Sequence, residues 1–191
     1  MVARAVSSSL RATLTAVVLV MGYGCRNADP GAGAWEFNVD TVRSDTAGRV
    51  RQISWLRVVG QEGADGEPRA KPVILSFDCL PDQASNTIMT EQALRQGTAE
   101  VRVTVDRNPP LRVPGFAGTT PSGGQVVLTI PQDSLLAVLS GRQRAIVEYA
   151  DGAGSSRTTA EFPLAGLGMY RDAFLAACAE RGAAASGTLR R

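Results

Sequence analysis

Residues 71–79 read KPVILSFDC, and Val73, Leu75, Phe77 and Cys79 fall at every second position. A period of two belongs to a β-strand with one buried face, so the stretch predicts a strand whose thiol points into the core. The same period recurs on both sides of it. In AWEFNVDTV (34–42), Trp35, Phe37 and Val39 alternate against Glu36, Asn38 and Asp40, a half-buried strand. In RVRQISWLRVV (49–59), Ile53 and Trp55 share one face with Arg51 and Arg57, while Val50, Leu56 and Val58 share the other with Gln52 and Ser54, so the inner face is ambiguous. AEVRVTVD (99–106) places Val101, Val103 and Val105 inward and Arg102 and Thr104 outward, and NPP ends it. QRAIVEYADGAGSSRTTAEF (143–162) predicts a hairpin in which Ala145, Val147 and Tyr149 face an alternation through Thr158, Ala160 and Phe162.

Between these strands the sequence changes character. GQEGADGEPRAK (60–71) and GFAGTTPSGG (115–124) are rich in turn formers and are expected as two long loops. TIMTEQAL (87–94) and QVVLTI (125–130) are expected as short strands, and PQDSLLAVLSG (131–141) as a short helical turn with Pro131 at its start and Gly141 as its stop. In LGMYRDAFLAAC (167–178), Tyr170, Phe174 and Cys178 lie at i, i+4 and i+8, which predicts a helix from Leu167 to about Glu180 with its thiol on the apolar face. The fold class expected is mainly β, a β-sandwich or open barrel of about seven or eight short strands with one C-terminal helix fastened back onto it.

The N-terminus carries Arg4 and Arg11, no acidic residue, and an uncharged run over residues 12–23. That run is too short to span a hydrocarbon core, which needs about 20 residues, and residues 1–24 are expected to be a secretory signal peptide. Met21 to Cys25 resembles the lipobox of bacterial lipoproteins, with Gly24 as the small residue before Cys25, so Cys25 is the expected lipidation site. Gly22 stands where an aliphatic residue is usual, and ordinary cleavage with a free or disulfide-bonded Cys25 is the alternative. Residues 25–33 are expected to be a flexible tether, 34–180 the β-rich domain, and 181–191 a disordered tail. The chain has three cysteines, and an odd number in an oxidising compartment calls for an explanation. Lipidation of Cys25 leaves Cys79 and Cys178 as a disulfide pair, the alternative being two buried free thiols.

The order of these segments, from a strand ending in cysteine at VILSFDC through SLLAVLSG, RAIVEY and EFPLAGL to a helix closing on Cys178, resembles periplasmic proteins of the VasI type, accessory components associated with type VI secretion. The resemblance implies a periplasmic β-domain closed by a disulfide.

The composition removes several chemistries. No histidine is present, so Ser-His-Asp triads, Cys-His nucleophiles and His-ligated zinc are excluded. Lys71 is the only lysine and has no Ser-x-x-Lys before it, and no P-loop or dinucleotide fingerprint occurs. Asp78, Glu91 and Asp106 are the candidate carboxylates for a hydrolase, and their outward phase makes them solvent-facing charges instead. Glu62, Asp65 and Glu67 lack calcium-loop spacing. No catalytic, cofactor-binding or metal residue is therefore expected, and no cofactor. Removing Arg4 and Arg11 with the leader lowers 20 basic residues to 18, equal to the 18 acidic ones, which argues against a nucleic-acid partner. Trp35 and Trp55 are expected in the core. Arg51, Arg57, Arg102 and Arg144 would form a basic stripe if their strands were neighbours, but are expected to be interspersed with Glu100 and Glu148. The function expected is a non-catalytic envelope lipoprotein, anchored in a bilayer, that presents its β-domain to an envelope protein through a sheet edge or its loops. A module binding peptidoglycan or another envelope glycan is the alternative, ahead of a carboxylate-dependent hydrolase.

Overall fold

The computed structural model describes residues 34–43, 50–63, 71–80, 83–150 and 157–187. The expected signal peptide and tether, with Cys25, and Asp65, Glu67 and residues 188–191 lie outside them. Described strands are β1 (Trp35–Arg43), β2 (Val50–Glu62), β3 (Lys71–Leu80), β4 (Gln83–Thr90), β5 (Gly97–Val105), β6 (Leu111–Thr120), β7 (Gly123–Leu128), β8 (Arg144–Ala150) and β9 (Arg157–Pro163). Helix α1 (Gln132–Leu139) joins β7 to β8, and α2 (Leu167–Gly187) follows β9.

The strands form one antiparallel sheet in the order β1-β2-β3-β4-β7-β6-β5-β8-β9, and β9 returns to pair with β2. The barrel is thus closed by eight strands rather than open or sandwiched, and β1 is additional. Closure depends on how β2 divides one of its edges. Val50 to Val58 pair with β1, and Gln61 and Glu62 then pair with Glu161 and Ala160 of β9. Gly63 N–H extends the seam by donating to the Thr159 carbonyl at 3.0 Å. Gly60 permits the turn inward, because a side-chain carbon there would lie 2.3 Å from the Glu161 carbonyl oxygen and 2.5 Å from the Phe162 ring.

The core lies inside the barrel and is filled by the alternating residues of every strand. Leu56 faces Phe77, Val58 faces Leu75, and Val101, Val103 and Val105 all point inward with Ala145, Val147 and Tyr149. The ambiguity in β2 is resolved by register, since Leu56 and Val58 meet the buried face of β3 and Trp55 is turned to the outside.

One end of the barrel carries both helices. Gln132 of α1 donates to the Ser85 carbonyl at 3.1 Å, Asn86 donates to the Ile130 carbonyl at 2.7 Å, and Cys79 is bridged to Cys178 of α2 across a sequence separation of 99. The disulfide is present as expected. Phe174 is fully buried and meets Phe37 of β1 edge-on at 6.2 Å between ring centroids, so α2 covers the inner face of β1 where that strand leaves the barrel. At the opposite end Leu94 acts as a plug, its carbonyl held by the Thr119 hydroxyl at 2.6 Å and its side chain seated on Gly124.

Three expectations are corrected. The glycine-rich stretch 115–124 is not a loop but most of β6 and the start of β7, which raises the strand number to nine. Its inner positions are Val113, Gly115 and Ala117, and a side-chain carbon on Gly115 would lie 2.9 Å from the Val127 carbonyl oxygen. The strand expected at 87–94 instead runs from Gln83 to Thr90. Helix α2 continues to Gly187 rather than ending near Glu180, because the alanine-rich stretch 183–185 favours continuation.

Candidate functional site

The outer face of β1, β2 and β3 carries a row of side chains fixed by one another. Asp40 of β1 accepts from the Trp55 indole at 2.8 Å and from the Asn38 amide at 2.9 Å. The Arg57 guanidinium lies over the Trp55 ring at 4.5 Å from its centroid, a cation–π contact. Arg57 also donates to the Ser76 hydroxyl at 2.9 Å and to Asp78 at 3.2 Å, and Ser76 in turn donates to Asp78. Trp55 is therefore not a core residue. Its polar nitrogen requires a partner, and the alternation of β2 sets it beside Asp40 on the outside.

The row borders an unpaired edge. Among the described residues β1 has a single strand neighbour, β2. In an antiparallel pair, successive residues direct their N–H and C=O groups alternately toward and away from the partner. Val39 N–H is bonded at 2.8 Å to the side chain of Asn38, its own neighbour, and so points away from β2. Alternation then places the backbone groups of Phe37 and Thr41 on the same free edge. Val39 is 43% exposed, a large apolar side chain at the edge beyond the cover of α2.

A second feature lies on the outer face across β5, β6 and the β8–β9 hairpin. An open cleft of about 520 Å³ is lined by Glu100, Arg112, Pro114, Ala150 and Arg157, among others. Arg102 donates to Glu100 at 3.2 Å, and this bond is the largest influence on the Glu100 carboxyl; with the lesser pull of the Arg102, Arg112 and Arg157 charges it outweighs the opposing effect of burial and holds the group below the usual carboxylate range.

The carboxylates named from sequence do not converge. Asp78 is engaged by Arg57 and Ser76 on β3. Glu91 is exposed beyond β4, at the end of the barrel away from the disulfide. Asp106, in left-handed backbone at φ 54°, accepts from the N–H groups of Gln143 and Arg144 at 3.1 and 3.0 Å and shapes the end of β5. Three strands separate β3 from β5, so these groups share no cleft. The arginines of the imagined stripe are likewise apart: Arg57 pairs with Asp78, Arg102 with Glu100 and Arg144 with Glu161, and the Arg51 side chain lies outside the described residues. Among the described residues no group of three or more His, Cys, Asp or Glu side chains is placed to hold a metal, and no helix is long and apolar enough to cross a membrane. Sequence reasoning missed Asp40, Arg112 and Arg157. The alternation Arg112, Pro114, Phe116 outward against Val113, Gly115, Ala117 inward was the available signal for β6.

No family model matches the chain, and no curated protein matches it. Among solved structures it resembles the crystal structure of invasion associated protein B from Bartonella henselae, with a TM-score of 0.48 and 16% identity over 76% of this chain and 94% of that one.

Proposed function

We propose that the protein is a non-catalytic binding module of the bacterial cell envelope, lipid-anchored through Cys25, that receives an extended segment of another envelope protein on the free edge of β1. The observation that carries this reading is the outward Val39 N–H, which among the described residues is satisfied by the adjacent Asn38 side chain rather than by another strand. A strand added there would replace that local bond with a ladder, the usual mode of β-augmentation. The chemistry of β1 defines the partner. Glu36 and Asp40 lie on its outer face and Phe37 and Val39 on its inner one, so a complementary segment alternates basic with apolar residues. Trp55 and Arg57, residue types enriched at binding hot spots, flank the edge in fixed positions. A secretion accessory of the VasI kind would be one instance of such a module.

Val39→Pro tests the edge. Proline removes a donor that faces away from β2, so the fold is expected to survive, as edge strands tolerate proline there. With a photo-crosslinking side chain at Thr41, envelope preparations are expected to yield one defined adduct that Val39→Pro abolishes without changing the melting midpoint. An adduct unaffected by the proline would refute strand addition. Anchoring is checked separately by intact mass: protein purified from membranes is expected to carry an acyl increment that Cys25→Ser lacks, and a soluble species without that increment would refute the anchor.

A further inference from the structure

The cleft across β5, β6 and the β8–β9 hairpin contains a pairing that local stability disfavours. Arg102 and Arg112 stand directly opposite each other across β5 and β6, and like charges in that relation repel. Arg102 is compensated twice, by its bond to Glu100 and by Glu148 opposite it on β8. Arg112 and Arg157 have no such direct contact: among the described residues neither has an ion pair or a hydrogen bond, and only the Glu100 charge attracts them across the cleft. Both line the same cleft, one from β6 and one from β9, with Pro114 and Ala150 on its apolar surface and Thr98 and Glu100 beside it. Two cations without a direct anionic partner in one cleft, one of them facing a like charge across the strands, mark a place where an anionic ligand would be received.

We infer that this cleft binds a hydroxylated phosphate monoester of sugar-phosphate size, its phosphate received by Arg112 and Arg157 and its hydroxyls by the Glu100 carboxylate. Guanidinium forks match phosphate oxygens in charge and geometry. Glu100, kept ionised by its arginines, repels a bare anion and can only accept hydrogen bonds, which selects a ligand that brings donors as well as negative charge. At about 520 Å³ the cleft falls within the range of small-ligand sites. This site lies on strands other than β1 and β2 and does not depend on the strand-addition reading.

Calorimetric titration of the oxidised protein at low salt with glucose 6-phosphate, glucose and inorganic phosphate tests it. Saturable binding of glucose 6-phosphate is expected, with none by glucose at the same concentration, and with inorganic phosphate weaker. Arg112→Ala and Arg157→Ala are each expected to weaken binding about tenfold or more, the order expected for losing one charge-assisted contact. Arg144→Ala, which removes an arginine already paired with Glu161, is expected to change nothing. Glu100→Gln should narrow the preference for glucose 6-phosphate over inorganic phosphate. Circular dichroism and the melting midpoint of each variant separate lost binding from lost fold. The site is overturned if no phosphate compound saturates, if glucose binds as well as its phosphate, or if Arg144→Ala weakens binding as much as Arg112→Ala. Equal affinity for inorganic phosphate would overturn the role of Glu100.

Discussion

At the scale of single residues, the polar groups left inside the barrel have the most consequence. Tyr149 is buried on β8 at the end away from the disulfide, and its hydroxyl has no hydrogen-bond partner among the described residues. Burial pushes its phenol from 10.0 up to about 12, the Glu62 carboxylate pushes in the same direction, and Thr90 draws it back slightly from a position short of a formed bond. The folded state therefore holds the proton that the unfolded chain gives up near pH 10. The group therefore leaves stability unchanged with pH below about pH 10 and adds a decline as the pH rises toward 12, on the order of 3 kcal/mol in all. Tyr149→Phe removes it. The variant is expected to lie within about 1 kcal/mol of the parent at pH 8, since no bond is lost, and to lack the extra alkaline decline. Urea midpoints for both proteins between pH 8 and about 11.5 check this, and parallel declines would show that the phenol does not contribute.

At the scale of elements, legibility followed side-chain size. Strands β3, β5, β8 and β9 could be read because large apolar residues mark their inner faces at a clean period of two, and the predicted hairpin matches the register Val147↔Ala160 and Ala145↔Phe162. Strand β6 could not, because glycine and alanine occupy inner positions and Pro114 argues against a central strand. Register explains how that proline is tolerated. Its carbonyl accepts from Thr129 N–H on the β7 side, where the β6–β7 ladder has already ended at Gly115↔Leu128. The nitrogen of the same residue faces the same side, so no ladder bond is missing. Trp55 illustrates a different limit, since alternation fixes which residues share a face but not which face is inward, and that was settled only by Leu56 and Val58 meeting Phe77 and Leu75. The β1 edge and the β5–β6 cleft are still less legible. Asp40 meets Trp55 through the β1–β2 register, and Arg112 and Arg157 come to one cleft on strands distant in sequence, so no local pattern announces either.

At the scale of the whole molecule, the disulfide links the last element to the end of β3, at the helix-bearing end of the barrel. Its closed loop contains β4 through β9 and α1, so it constrains the unfolded chain over most of the domain. For a separation of 99 residues the chain-entropy model assigns roughly 4–5 kcal/mol to such a bridge. Burial of Leu167 and Phe174 contributes about 1.5–3 kcal/mol each, comparable in sum to the bridge. Helix α2 is therefore expected to remain docked without the disulfide while the domain as a whole loses stability. Cys79→Ala with Cys178→Ala avoids placing a hydroxyl in the buried position of Cys79 and separates these two contributions. Urea unfolding followed by tryptophan fluorescence should show the midpoint falling by an amount equivalent to about 4 kcal/mol, with native emission preserved at zero denaturant because Trp35 stays packed 6.3 Å from Phe77. A shift below about 1 kcal/mol would mean that the loop is already restricted in the unfolded state. A changed native spectrum would mean that the bridge, rather than Phe174 against Phe37, holds α2 over the β1 flap, and strand addition at that edge would then depend on the redox state of the compartment.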